Sequence, residues 1–196
     1  MPSRDGAALR RASGFTMIEL ITVIILVGIL GGVGLCRFSD NSVFENRSYA
    51  DQLKSLIRYA QKLAIAQNRA VFVRSGPSGF AVCFQSGCGA ANQLAAAPGG
   101  SNSGSAATTA FCTLNNVYVA NWMCEAPPNA NVVVTSDVVR DEFAAGTGFF
   151  YFDSMGRPYN RGDALGASTF ARMTLNVRRG ASTYQIVVES ETGYVH

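Results

Sequence analysis

Hydrophobic residues follow three different patterns along this chain of 196 residues. Residues 15–36 are almost continuously apolar and contain one ionisable side chain, Glu19. Residues 37–69 place apolar side chains every three to four positions, which predicts an amphipathic helix. From residue 70 onward, short apolar runs alternate with turn residues, which predicts strands. The pattern therefore predicts an α+β fold, in which a long N-terminal helix packs on an antiparallel β-sheet.

The predicted strands are short apolar runs after the helix. They span residues 70–74, 80–84, 132–135, 149–152, 173–177 and 184–188. Apolar and polar residues alternate strictly over residues 172–178, as in a half-buried antiparallel strand. An amphipathic helix must bury its apolar stripe, and the strand region is the part of the chain available to cover it. We therefore expect the helix of residues 37–69 to lie against the sheet.

The apolar segment of residues 15–36 is long enough to cross a membrane as a helix. Its 22 residues would span the hydrocarbon layer of roughly 30 Å at about 1.5 Å per residue. The basic residues Arg4, Arg10 and Arg11 precede it. Because basic flanks stay in the cytoplasm, the residues after the segment are predicted to be exported.

Three interpretations of this export segment differ in where the chain is cut. An ordinary signal peptide would be cut after the small residues of 32–34. A lipoprotein signal needs a small residue before its cysteine, whereas Leu35 precedes Cys36. The third interpretation places the cut between Gly14 and Phe15, so that the apolar helix remains as an anchor.

The carboxylate of Glu19 favours the cut before the helix. A carboxylate inside an apolar segment costs about 2.5–3.5 kcal/mol on insertion scales unless a partner compensates its charge. Cleavage after Gly14 would create an α-amino group on Phe15, four residues from Glu19. This cation could pair with Glu19 of the same chain or with Glu19 of a neighbouring subunit.

Residues 14–20, with the sequence GFTMIEL before an apolar run, resemble the class III signal of type IV pilins and type II secretion pseudopilins. The resemblance implies cleavage after Gly14 by a prepilin peptidase, N-methylation of Phe15 and docking of successive subunits through Glu19. The implied partners are other pilins or pseudopilins and an inner-membrane assembly platform. The implied location is the bacterial inner membrane, with a single membrane-spanning helix, a periplasmic C-terminal domain and later assembly into a filament.

The C-terminal half extends this resemblance. Residues 149–158 (FFYFDSMGRP) and the closing residues 191–194 (ETGY) are similar to the GspH/FimT-type minor pilin domain and to MSHA-pilus minor pilins. The resemblance implies a type IV pilin-like fold and a subunit that primes or regulates filament assembly. The predicted regions are a cleaved leader (1–14), a membrane-spanning or filament-core helix (15–36), an amphipathic helix (37–69) and an exported β-rich domain (70–196).

Four cysteines fall in the predicted exported domain: Cys83, Cys88, Cys112 and Cys124. In an oxidising compartment they predict two disulfides, with three connectivities open. Pairing Cys83 with Cys88 and Cys112 with Cys124 needs the least chain reach, and a zinc site is a weaker interpretation because the spacing lacks two short pairs. Residues 86–110 are largely Gly, Ala, Ser and Asn, which predicts a long exposed loop.

A second functional hypothesis is a DNA-binding minor pilin that acts in DNA uptake. Its candidate contacts are Arg157, Arg161, Arg172, Arg178 and Arg179, because flexible cations bind phosphates. The whole chain has a net charge of +3, but residues 75–196 contain six basic and eight acidic residues, a net of 6 − 8 = −2. The bulk charge therefore does not favour a nucleic acid partner.

An enzyme is the third and weakest hypothesis. The sequence contains one histidine, His196, and no pattern that brings a nucleophile to a base. We expect no cofactor and no bound metal. Asp153 and Asp163 match no calcium-loop spacing, so we interpret them as turn residues.

Overall fold

The structure of the chain, a computed structural model, describes residues 16–38, 41–137 and 139–196, with side chains described outside residues 33–43. The chain divides into two units, residues 1–41 and residues 42–196. In the first unit, helix α1 spans Met17–Phe38. Helix α2 spans Asn41–Gln67, belongs to the second unit from Ser42 onward and precedes the strands.

Besides a single 3₁₀ turn (Ala91–Gln93), the described part of the second unit contains ten short strands and one short α-helix after α2. These elements are β1 (Val71–Gly76), β2 (Gly79–Cys83), α3 (Ala106–Phe111), β3 (Thr113–Leu114), β4 (Val117–Tyr118), β5 (Cys124–Glu125), β6 (Val133–Ser136), β7 (Phe149–Phe152), β8 (Pro158–Tyr159), β9 (Met173–Arg179) and β10 (Ser182–Val188). All six predicted strands are present. The four that the pattern did not predict, β3, β4, β5 and β8, have two residues each.

The strands form two main sheets and a small hairpin. The five-stranded sheet has the order β5-β2-β1-β7-β8, the three-stranded sheet has the order β10-β9-β6, and β3 pairs with β4. Every strand pair in the described residues is antiparallel. The α+β fold with a helix packed on antiparallel sheets is therefore confirmed.

The apolar stripe of α2 forms the centre of the hydrophobic core. Leu53, Leu56, Ile57, Ala60 and Ala64 are all fully buried. They belong to one cluster with buried side chains of β1 and β7 from the first sheet and of β9 and β10 from the second. One helix face thus covers both sheets, and burial of apolar area there is the main stabilising contribution.

Polar contacts from α2 fix the C-terminal end of the chain. The guanidinium of Arg58 donates a hydrogen bond through Nε to the carbonyl oxygen of Val195 at 2.9 Å. The side-chain amide of Gln61 donates to the carbonyl oxygens of Gly156 and Thr192 at 2.9 and 2.8 Å. At Gly193, φ is +62° and a Cβ would clash with the Gly156 carbonyl oxygen, so this turn requires glycine. The segments around Gly156 and Thr192 therefore meet at Gln61 of α2.

Two disulfides organise a second, smaller core. Cys83 bonds to Cys88 and Cys112 bonds to Cys124, which confirms two disulfides and resolves the connectivity that the sequence left open. Around them packs the buried indole of Trp122, whose Nε1 donates to the Val82 carbonyl oxygen at 2.9 Å.

The expectation of a long exposed loop over residues 86–110 is wrong in part. Ala95 and Thr108 in this segment are fully buried, and α3 begins within it. The Ser105 hydroxyl caps α3 by accepting a hydrogen bond from the Thr108 amide at 3.1 Å. Covalent cross-links and caps order a segment whose composition alone would bury little.

Replacing a buried leucine of α2 tests the central position of this helix. We expect Leu56→Ala to lower the free energy of unfolding by about 2–5 kcal/mol, because it leaves a cavity in the core. The neighbouring exposed residue supplies the control: Ser55→Ala should change stability by less than about 0.5 kcal/mol. Urea unfolding of the full chain, followed by the fluorescence of Trp122, measures both, and equal effects would contradict the packing.

Candidate functional site

The amino end of α1 is capped by a threonine. The carbonyl oxygen of Thr16 accepts hydrogen bonds from the amides of Glu19 and Leu20 at 3.1 and 3.2 Å. The Thr16 hydroxyl accepts a longer one from the Glu19 amide at 3.4 Å. Glu19 lies in the first turn of the helix, where the exposed amides favour a negative charge. The local sequence thus explains both where α1 begins and why an acid is tolerated there.

The carboxylate of Glu19 is exposed and has no partner among the residues that the structure describes. The predicted cleavage residues Gly14 and Phe15 lie outside the described residues. The side chain of Cys36 also lies outside them. The predicted contact between the Phe15 amine and Glu19 therefore stays a prediction.

The described side chains of α1, those of residues 17–32, are almost all apolar and are exposed. Every described side chain from residue 17 to residue 32 is exposed, including Met17 at 86% and Leu30 at 72%. A Cβ at Gly28 or Gly32 would contact no described atom within 4 Å. Within the described residues, no helix combines the length and the apolar character needed to cross a membrane.

Three of the five arginines predicted as DNA contacts pair with carboxylates. Arg157 lies 3.7 Å from Glu191, and Arg172 lies 3.4 Å from Glu189. Arg179 forms an ion pair with Glu45 of α2. These acids balance much of the positive charge that a phosphate backbone would need.

The five arginines also do not share one face. Arg172 and Arg179 lie at opposite ends of β9, more than about 20 Å apart at 3.3 Å per residue. Arg178 donates to the hydroxyl of Thr183 at 3.4 Å. Arg161 follows β8 and lies over the Phe149 ring, 5.6 Å from its centroid. The structure therefore does not gather these residues into the clustered basic face that marks a nucleic-acid interface.

The two aspartates considered for calcium act as acceptors within turns. The Asp153 carboxylate accepts hydrogen bonds from the amides of Met155 and Arg157, each at 2.9 Å, and from the Tyr159 hydroxyl at 3.1 Å. In the described part of the chain, no group of three or more His, Cys, Asp or Glu side chains could hold a metal ion.

Asp163 organises the loop that follows β8. Its carboxylate accepts from the amides of Asn160 and Thr169, each at 2.8 Å, and from the Thr169 hydroxyl at 2.6 Å. Partial burial opposes ionisation, but these hydrogen bonds outweigh it and lower the pKa of Asp163 below its ordinary value. Arg161 belongs to the same loop, so the hydrogen bonds of the Asp163 carboxylate fix the backbone around this arginine.

Glu125 is a buried acid that sequence reasoning missed. Its carboxylate accepts hydrogen bonds from the amide and hydroxyl of Ser103 at 2.7 and 2.6 Å and from the Thr108 hydroxyl at 3.0 Å. The phenol of Tyr49 is buried nearby, and desolvation, reinforced by the charge of Glu125, raises its pKa. A signal was present in the sequence, since Glu125 is the first charged residue after Arg74.

Comparison with known proteins gives one curated relative. No protein-family model matches the chain. The Type IV narrow pilus major component PilA5 of Thermus thermophilus is 36% identical over 61 residues. Over this stretch the chain is type IV pilin-like. The match covers 31% of this chain and 53% of PilA5. The chain therefore spans about half the length of the relative that it matches.

Two solved structures resemble the type IV pilin-like chain more distantly. Both are crystal structures of the type IV minor pilin FimU of Pseudomonas aeruginosa, in two crystal forms. One covers 80% of this chain and 90% of FimU, with a TM-score of 0.45 and 13% identity. The other covers 76% of this chain and 90% of FimU, with a TM-score of 0.42 and 12% identity.

The pH dependence of stability tests the role of Asp163. Because its pKa is lower in the folded state, its carboxylate contributes stability above the unfolded pKa of about 3.9 and loses that contribution as the pH falls through the folded value. We expect Asp163→Asn to lower the urea midpoint at about pH 7, with the deficit shrinking as the pH approaches about 3. The control is Asp51→Asn, which removes an exposed carboxylate paired only with Arg47, and a deficit for Asp163→Asn that does not depend on pH would contradict this role.

Proposed function

We propose that this chain is a minor pilin or pseudopilin, a structural subunit that primes or regulates assembly of a type IV pilus or a type II secretion pseudopilus. The observation that carries the proposal is the exposure of every described apolar side chain of α1, over residues 17–32. Leaving apolar surface in water costs about 25 cal/mol per Å². A helix that is apolar all round therefore needs lipid or other helices around it. In a subunit that moves from a membrane into a filament, this helix is surrounded first by lipid and then by the helices of other subunits.

Glu19 supplies the specific contact in this proposal. It is the one acidic residue of α1, and its carboxylate is exposed. Cleavage after Gly14 by a prepilin peptidase would place the N-methylated amine of Phe15 on one subunit within reach of Glu19 on the next. Such a pair, surrounded by apolar side chains, is stronger than an exposed ion pair because little water screens it. Register between neighbouring subunits would then follow from one charge pair.

Location and partners follow from the same proposal. Before assembly, α1 anchors the subunit in the bacterial inner membrane, and residues 42–196 lie in the periplasm. The two disulfides fit an oxidising compartment. The partners are other pilins or pseudopilins, the prepilin peptidase and an inner-membrane assembly platform. The similarity to PilA5, a component of a narrow pilus, supports a filament rather than an isolated membrane protein.

The finer assignment to the GspH/FimT type is supported by two segments. Residues 149–158 and 191–194 carry the resemblance, and the contacts of Gln61 with Gly156 and Thr192 join them. A DNA-uptake role gains no support from the ion pairs of Arg157, Arg172 and Arg179. Filament assembly is therefore the function that we propose.

Processing of the leader is the first test. We expect Gly14→Val to leave the precursor with its leader attached, because a branched side chain replaces glycine at the proposed cut. Intact-mass spectrometry of the wild type should show a mature chain that begins at methylated Phe15. Gly28→Ala, a glycine substitution inside α1 with open space around it, should be processed normally. A wild-type product that begins beyond Gly34 would contradict the proposal, since α1 would have been removed.

Incorporation into filaments is the second test. We expect Glu19→Ala to be processed and to remain in the membrane fraction but to fall at least about tenfold in sheared filaments, the effect of losing about 1.4 kcal/mol of a docking contact. Immunoblots of membrane and filament fractions measure both quantities.

Asp51→Ala is the matched control for this test, because it removes an exposed carboxylate on α2 and should leave incorporation unchanged. Glu19→Gln separates charge from size, and we expect it to behave like Glu19→Ala. Normal incorporation of the two Glu19 variants would overturn the docking role.

A further inference from the structure

A pocket of about 310 Å³ lies where β1 and β7 run side by side. Its walls are the loop closed by the Cys83–Cys88 disulfide, which contributes Ser86 and Gly87, and the loop before β7, residues 146–148. The two charged residues that line it are Arg74 and Arg161. The volume equals that of about ten water molecules, so a small polar ligand has room to enter.

The ring of Phe149 places both arginines at the same pocket. Arg74 of β1 is directly opposite Phe149 of β7 in the strand register, and opposite residues project on the same face of a sheet. The guanidinium of Arg161 lies over that ring, with its Cζ 5.6 Å from the centroid. On the other side, the Cζ of Arg74 lies 6.0 Å from the ring centroid of Phe111. Aromatic rings thus hold the two guanidinium groups without using their hydrogen-bond donors.

Neither arginine of this pocket is neutralised within the described residues. Carboxylates lie within ion-pair distance of Arg47, Arg140, Arg157, Arg172 and Arg179. Neither Arg74 nor Arg161 has such a partner in the described chain. Arg161 donates a single long hydrogen bond, to the carbonyl oxygen of Thr147 at 3.4 Å. Two cations at one pocket repel each other unless an anion joins them.

A second pocket is also lined by two arginines, but it lacks the unbalanced positive charge of the first. Arg69 and Arg157 both line it, but so does the acidic residue Asp153. Arg157 is also paired with Glu191, and the guanidinium of Arg69 lies over the ring of Phe84. The positive charge there is balanced by the protein itself, whereas none of the described carboxylates lines the pocket of Arg74 and Arg161.

We infer that the pocket of Arg74 and Arg161 binds a tetrahedral oxyanion that carries two negative charges, namely a free phosphate or sulfate ion or a phosphate monoester. Two guanidinium groups match its charge and offer paired N–H donors to its oxygens. Ser86 and Thr147 add hydroxyl groups that hydrogen-bond to no other described residue. The ligand is either the free ion or the terminal group of a larger molecule, since Arg161, Gly87 and Thr147 lie on the exposed side of the pocket.

Titration of the full chain with inorganic phosphate tests this inference. The protein is held in nonionic maltoside micelles at low ionic strength, and binding is followed by isothermal calorimetry and by amide NMR shifts of Gly87 and Thr147. We expect saturable binding that Arg74→Gln and Arg161→Gln each weaken by at least about tenfold, the usual effect of losing a charge-assisted hydrogen bond. Because Arg161 is exposed, its substitution should leave the fold intact even if the Arg74 variant is unstable.

Arg178→Gln is the matched control, because Arg178 is exposed and lacks a carboxylate partner in the described chain but lies outside this pocket. It should leave phosphate binding unchanged. Binding of glycerol 3-phosphate as tightly as phosphate would identify a carried phosphate group as the ligand, and binding of inorganic phosphate alone would identify the free ion. The inference is overturned if the wild type shows no saturable binding, if Arg178→Gln weakens binding as much as Arg161→Gln, or if acetate binds as tightly as phosphate.

Discussion

Burial of one face of α2 is the constraint on which the second unit depends. Two sheets of five and three strands would each leave an apolar face in water if they stood alone. The stripe that contains Leu53, Leu56 and Ala60 covers both of them. Arg58 and Gln61 of the same helix hold the C-terminal segments by hydrogen bonds, so α2 fixes the end of the chain as well as the core.

Helix α1 differs from α2 because its described apolar side chains are not covered by the chain itself. The two helices therefore need different partners. The apolar stripe of α2 is satisfied within its own chain. The described apolar side chains of α1 are exposed on every side, and the exposed carboxylate of Glu19 stands among them. A helix of this kind gains stability only from neighbours that cover its whole circumference, which is why assembly, rather than a pocket or a catalytic group, is the function proposed for this chain.

The fold class could be predicted because two periodicities dominate the sequence. Alternation over residues 172–178 identified β9, and the helical stripe identified α2. The two-residue strands β3 and β5 are too short to show a period. The order in residues 86–110 depends on disulfides whose pairing no local pattern fixes. Likewise, the partner of Arg179 is Glu45, 134 positions away in the sequence, so a list of arginines could not reveal which of them are neutralised.

The fold pairs some arginines with carboxylates and leaves others without such a partner in the described residues, and this difference is informative about function. A count of basic residues treats Arg161 and Arg172 alike, but Arg172 has an acid beside it and Arg161 stands over an aromatic ring. One wall of the Arg161 pocket is the loop between Cys83 and Cys88, and these cysteines are five positions apart in the sequence. Reduction of that disulfide would remove the covalent bond that closes this wall. Because disulfides persist in oxidising compartments, the complete pocket would exist where the exported domain is expected to be.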